Sequence, residues 1–215
     1  MNEIAHILTP ASAAWCGWNM FGLLLAVIFA ELAQPGIVSQ VPTVLFSKTE
    51  RIYKASADNV LGQLFITLFR IGVLALLLQL CFYTGGTFHY LSFLMLMGVI
   101  LAFILVKMVV NVLIDYTFQL TRHFASPYEQ YGAIATTVCL LLFPCLLVLL
   151  RIGNAIAARW VLGIAMALFL GLMLFRWFRT FVREPAALLY ILLYIMTLEV
   201  VPMAALLWTA HFLLN

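Results

Sequence analysis

The sequence predicts an all-α membrane protein: a polytopic bundle of about six transmembrane helices, with an interfacial helix on the cytoplasmic side after the first. Hydrophobic residues make up 66% of the 215-residue chain and charged residues only 9%, against roughly 45–50% and about 25% in an ordinary soluble domain. A soluble fold of this length has no means of hiding so much apolar surface behind a wettable exterior. The apolar residues are also grouped into six stretches, each near or above the ~20 residues that a spanning helix needs. Ten-residue segments of alternating hydropathy, which a membrane β-barrel requires, do not occur.

The first span covers about residues 12–34. The segment leading into it, MNEIAHILTPASAAW, has no basic n-region, so a retained anchor is expected rather than a cleaved signal peptide. Ile37 to Asn59 is polar enough to leave the bilayer. Val41, Val44, Leu45 and Ile52 recur there at helical spacing, with Lys48, Arg51 and Lys54 among them. That pattern suits a helix in the headgroup layer with its lysines near anionic lipid; a solvated connecting loop is the alternative. The second and third spans, about 60–83 and 89–114, are separated by the breaker Tyr83-Thr-Gly-Gly-Thr87. A polar linker from Asp115 to Tyr131 follows, and Ser126-Pro127 within it starts the fourth helix. The fourth and fifth spans, about 131–152 and 156–177, flank the turn Arg151-Ile-Gly-Asn154. The sixth, about 186–213, begins behind Pro185, a residue suited to the first turn of a helix. All six form a single integral membrane domain. No internal repeat is visible, so an inverted-repeat transporter is not expected.

Lys48, Arg51, Lys54, Arg122, Arg176, Arg179 and Arg183 fall on one side of this topology, and only Arg151 and Arg159 on the other. Positive charge stays cytoplasmic. The chain is therefore expected in a bacterial inner membrane with both termini periplasmic. The formal charge of +3 is loop chemistry. No basic cluster is interleaved with aromatics, so a nucleic-acid partner is not expected. Gly163, Ala167 and Gly171 form a small-residue stripe on the fifth span, and Gly22, Ala26 and Ala30 a weaker one on the first. Small residues let backbones approach. Close packing inside the bundle is the expected use, and contact with a second copy the alternative.

Ionisable residues inside a bilayer are costly and by default mark a function or a specific pairing. Arg70 lies in the second span, Lys107 in the third, Glu31 in the first and Glu199 in the sixth. At about 1.5 Å per residue, Arg70 is roughly 15 Å and Glu199 roughly 20 Å from the cytoplasmic edge. Lys107, at roughly 10 Å, is shallow enough to snorkel outward, and Glu31 sits within about a turn of the edge. Arg70 and Glu199 reach similar depth with opposite sign, so a guanidinium–carboxylate pair is expected. Gln79, Thr67, Thr197 and Asn111 are candidates to complete the polar interior. Pro202 lacks an N–H, which should leave the carbonyl of Leu198 without its helical partner and bend the last helix. Pro144 lies at a comparable estimated depth of about 20 Å in the fourth span. Two kinks at one level either make room for a polar pocket or shape the bundle.

Chemistry beyond this cluster is sparse. The four cysteines, Cys16, Cys81, Cys139 and Cys145, lack CxxC spacing and read as small buried hydrophobes. His6, His89 and His211 share the predicted outer side, but no His-x-x-x-His or His-Glu-x-x-His is present, so neither a metal nor a cofactor is expected. There is no Gly-x-Ser-x-Gly, P-loop or paired-aspartate protease signature, and an enzyme is not expected.

The C-terminal half carries a more specific pattern. SPYEQYG leads into a proline-containing span ending FPCLLVLL; LFRWFR and then REPAALLYILLYIMTLEVVPM follow. This resembles the Bacteroidota membrane-protein family known as domain of unknown function 4271, whose last helix has tyrosines followed by Thr-Leu-Glu and a proline. The pattern maps onto Tyr190, Tyr194, Thr197, Leu198, Glu199 and Pro202. The likeness is close over about the last 100 residues and covers the first half in layout only. It implies an inner-membrane location and gives the Glu-Pro motif added weight, but supplies no activity. The leading functional expectation is a non-enzymatic scaffold or accessory subunit, surrounded by lipid and packed against other inner-membrane proteins or itself. The alternative is a small transporter or channel-like protein using Arg70 and Glu199. A water-filled groove between kinked helices would favour transport; an exposed small-residue stripe would favour assembly.

Overall fold

Helix formation follows directly from the apolar stretches, because backbone groups in lipid must be satisfied within their own segment. The computed structural model describes residues 10–38, 60–82, 90–118, 127–152, 154–181 and 200–214. They form α1 (Pro10–Ala33), α2 (Val60–Phe82), α3 (Tyr90–Phe118), α4 (Pro127–Ile152), α5 (Ala155–Phe181) and α6 (Val201–Leu214), with no strand among the described residues. The first five are long and apolar enough to cross a membrane, whereas α6 is described as a shorter apolar helix of 14 residues. The expected sixth span is thus described only from residue 200 onward. Helices α3 and α5 outrun their expected limits, reaching Phe118 and Phe181, and α4 begins at Pro127, where Ser126-Pro127 is expected to start it ahead of the apolar span. Hydropathy marks the lipid-crossing part of a helix, but its hydrogen bonds continue into the headgroup layer. The proposed interfacial helix at 37–59 lies almost entirely outside the described residues.

The helices alternate in direction. At one end, the Trp15 ring meets Tyr90 at 5.9 Å and Phe93 at 5.3 Å, and Phe82 meets His211 at 5.7 Å. Arg159, near the start of α5, donates from Nε to the Cys81 carbonyl at 3.1 Å, satisfying an end group of α2 and its negative dipole. At the other end, Phe29 lies against Phe65 at 5.6 Å and the Lys107 ammonium against Tyr131. Helix α2 is the axis: all five other helices contact it, and 61% of its span is buried, against 44% for the next highest, α4. Its core side chains include Phe69, Val73, Leu76, Leu77 and Cys81. The outer surface carries large apolar side chains such as Trp18, Leu32, Leu91, Val106, Trp160 and Phe212, as expected where the solvent is lipid tails.

Two helix ends show their local logic. After α1, the Glu31 carboxylate accepts from the N–H of Gly36 at 2.6 Å and of Val38 at 3.0 Å. Gly36 has φ 87°, a left-handed conformation that glycine adopts without steric cost. Glu31 therefore has a local task, holding the reversal that ends α1. Asn154 caps α5, its Oδ1 accepting from Ile156 N at 2.8 Å and Ala157 N at 3.3 Å.

The small residues divide differently from expectation. A Cβ at Gly72 would run into the Leu23 side chain, and one at Gly62 would lie 3.0 Å from Gln34 Cβ. These two glycines let α1 approach α2, with Ala26 and Ala30 buried on the facing side of α1; Gly22 is exposed. The α5 stripe does not pack inside the bundle. Gly163, Ala167 and Gly171 are all exposed, and among the described residues no atom of a neighbouring element lies within 4 Å of a Cβ built at either glycine. Cys145 also departs from expectation: it is exposed, while Cys16, Cys81 and Cys139 are buried, and all four are free thiols.

Candidate functional site

On α2, residues spaced three and four apart share a face, and Gln63, Thr67, Arg70, Leu74 and Leu78 follow that spacing. All five line a cavity of about 360 Å³. Its other walls come from Ile100, Phe103 and Ile104 on α3, Tyr131, Gly132 and Ala135 on α4, Leu162 and Met166 on α5, and Met203, Leu206 and Leu207 on α6. The polarity is graded. Gln63, Thr67, Arg70 and Tyr131 cluster towards the N-terminal part of α2, while the remainder is almost wholly aliphatic.

Arg70 is held by both of its terminal nitrogens. Nη2 donates to Thr67 Oγ1 at 2.7 Å, and Nη1 to the Gly132 carbonyl at 3.3 Å. Thr67 in turn donates to the Gln63 carbonyl at 2.8 Å. The Gly132 carbonyl also accepts from Thr136 Oγ1 at 2.8 Å. A Cβ at 132 would come within 3.3 Å of Nη1, so a side chain here would press on the guanidinium. Arg70 Nε is buried without a partner. A guanidinium has five donor hydrogens, so these two contacts engage fewer than half.

Lys107 does not snorkel. It is buried, with Nζ 3.6 Å from the centroid of the Tyr131 ring. The negative face of the ring offsets part of the cost of desolvating the ammonium. Phe169 also meets the Tyr131 ring, in a T-shaped contact at 5.3 Å. Two cations thus bracket Tyr131 and Gly132, and among the described residues no carboxylate lines the cavity.

A protein-family model described as Domain of unknown function (DUF4271) matches residues 18–208. The chain belongs to this family. The DUF4271 match takes in every cavity residue and so reaches well beyond the C-terminal half. Neither a curated protein nor a solved structure is matched.

Within this DUF4271 chain, the expected polar cluster is partly assembled. Arg70 and Thr67 touch, and Lys107 joins them through Tyr131. Gln79 is fully buried but does not line the cavity; nine residues on from Arg70, it lies about 13 Å further along α2 and on another face. The side chain of Asn111, and residues Tyr190, Tyr194, Thr197, Leu198 and Glu199, lie outside the described set. The expected Arg70–Glu199 pair does too. Pro202 is the second residue of α6, and Val200 just before it sits in a wider helical turn. Pro144 is exposed on the outer face of a continuous α4. Pro144 and Pro202 are therefore not both at the cavity; α6 reaches it through Met203, Leu206 and Leu207. His211 packs on Phe82, outside the cavity, and His89 is outside the described set. Tyr131, Gly132 and Gln63 are the residues that sequence reasoning missed. For Tyr131 and Gly132 the only signal was the motif SPYEQYG, to which no role attaches in the sequence, and for Gln63 there was none.

Proposed function

We propose that this protein is a non-enzymatic scaffold or accessory subunit of a membrane complex in a bacterial, Bacteroidota-type inner membrane. Its partners are other inner-membrane proteins or a second copy of itself. The supporting observation is the outward face of α5, where Gly163, Ala167 and Gly171 are exposed beside Ile164 and Trp160. A lipid-facing surface has no need of small residues, whereas a helix–helix contact does. A Cβ at Gly163 or Gly171 meets nothing within 4 Å among the described residues, so Gly163→Leu and Gly171→Leu are the substitutions that test association with least disturbance of the bundle. In native-lipid nanodiscs the wild-type protein should run heavier than one chain, and the double variant should shift towards one chain at unchanged melting temperature. A wild-type protein that is always a single chain would sink this reading.

The second reading, a small transporter or channel-like protein using Arg70 and Glu199, is favoured by the place of Arg70 in the cavity wall. If the two are partners, Arg70→Gln or Glu199→Gln alone should destabilise the protein by about 3–5 kcal/mol, because the other charge is stranded. The double variant should recover much of that loss. Silent single variants would show that the residues are not partners. A stable double variant that fails a complementation assay would assign the charges to transport.

A further inference from the structure

The geometry points to the cavity beside Arg70 as a binding site for an amphiphilic anion: an oxyanion head, carboxylate or phosphate, on a single alkyl tail. The inference is independent of association through α5, and it names a ligand class for the cavity that favours the second reading.

Four features on this wall agree. The cavity of about 360 Å³ stands at the lower end of the roughly 300–1,000 Å³ typical of ligand sites, room for one chain rather than a diacyl lipid. It follows α2 from Gln63 to Leu78, about 22 Å of helix axis, with its polar groups gathered towards one end. That end carries a positive charge, because the Arg70 guanidinium lines it. Arg70 is steadied by Thr67 and Gly132, yet those contacts leave donors for a head with two or three oxygens, the geometry guanidinium recognises best. Beyond the head, Leu74 and Leu78 present a purely apolar track. Met166 and Met203 face it, unbranched side chains that adjust to tails of different length.

The full chain, in nanodiscs of zwitterionic phosphatidylcholine, is titrated with dodecanoate, dodecyl phosphate, neutral dodecanol and inorganic phosphate, with empty nanodiscs subtracted. At least one of the two anionic amphiphiles should bind saturably, one per chain, at least tenfold more tightly than dodecanol or inorganic phosphate. The tighter of the two identifies the head. Arg70→Gln should remove that preference. Should it fail to fold, Ala135→Leu carries the test: it fills the cavity from the α4 side and should weaken both anionic amphiphiles at least tenfold with an unchanged melting temperature. Equal affinity for dodecanol, equal affinity for inorganic phosphate, or anion binding unaltered by Ala135→Leu would overturn the site. So would anion binding that arises only in Glu199→Gln, since the chain's own carboxylate would then be the occupant. Binding without transport leaves the site intact and removes only the transporter reading.

Discussion

Inside a bilayer, water does not complete a polar side chain's contacts, so each ionisable group depends on its neighbours. Three such groups here find three different neighbours. Glu31 turns back to two backbone N–H groups, Arg70 takes a hydroxyl and a carbonyl, and Lys107 takes the face of an aromatic ring. A desolvated cation–π contact is worth about 2 kcal/mol. Tyr131→Leu should therefore destabilise the protein by about 1–2 kcal/mol more than Tyr131→Phe, which keeps the ring. In a Lys107→Met background the gap should close, as a double-mutant cycle requires; a gap that persists in thermal unfolding would mean that the ring acts by packing alone. Much of this is invisible in the sequence for a physical reason. A charge inside an apolar run announces itself, and Arg70, Lys107 and Glu31 were all legible. The groups that satisfy a charge are neutral, and Tyr131 and Gly132 differ in no sequence-level way from an interfacial tyrosine and a loop glycine.

Helices that are apolar on every side give little sign of which face is buried, because lipid tails and a protein core are equally apolar. That is why the existence and approximate limits of five spans could be read from hydropathy, yet the roles of the glycines could not. Gly62 and Gly72 sit at the α1–α2 contact, while Gly163 and Gly171 face outward. The same substitution should separate them. Gly72→Leu drives a side chain into Leu23 and should cost about 1–3 kcal/mol through overpacking. A Cβ at Gly163 meets nothing within 4 Å among the described residues, and leucine exceeds glycine in helix propensity by up to about 1 kcal/mol, so in Gly163→Leu a single-chain preparation should melt no lower than wild type. Thermal unfolding in detergent distinguishes them; equal losses at both positions would mean that α5 is not oriented as described. Asn154 offers a comparable test at a helix end. Asn154→Ala removes the acceptor that holds two N–H groups of α5, and about 1 kcal/mol of stability should go with it.

Because neighbouring helices alternate in direction around α2, placing one loop places every other. Phe82, Tyr90, Arg159 and His211 share one end of the bundle through the Trp15 ring contacts, the Arg159–Cys81 hydrogen bond and the Phe82–His211 contact. Ala30, Gln34, Gly62 and Tyr131 belong to the other, where Lys107 reaches Tyr131 and Gln34 meets Gly62. Seven of the loop-side basic residues fall at that second end in sequence order, from Lys48 to Arg183, and two at the first. Such an excess is expected to keep that end cytoplasmic, since lysine and arginine resist export across an energised membrane. The cavity's cationic wall is nearer the basic end, so in this orientation an anionic amphiphile would meet Arg70 from the cytoplasmic leaflet. A reporter active only in the periplasm, fused after Asn215, should therefore be active, and one fused after Lys54 silent. The reverse pattern would invert the protein in the membrane and put the Arg70 end of the cavity on the outer leaflet. Activity at both fusions, or at neither, would contradict the alternation itself, because residues 54 and 215 are separated by five crossings in this topology and must lie on opposite sides.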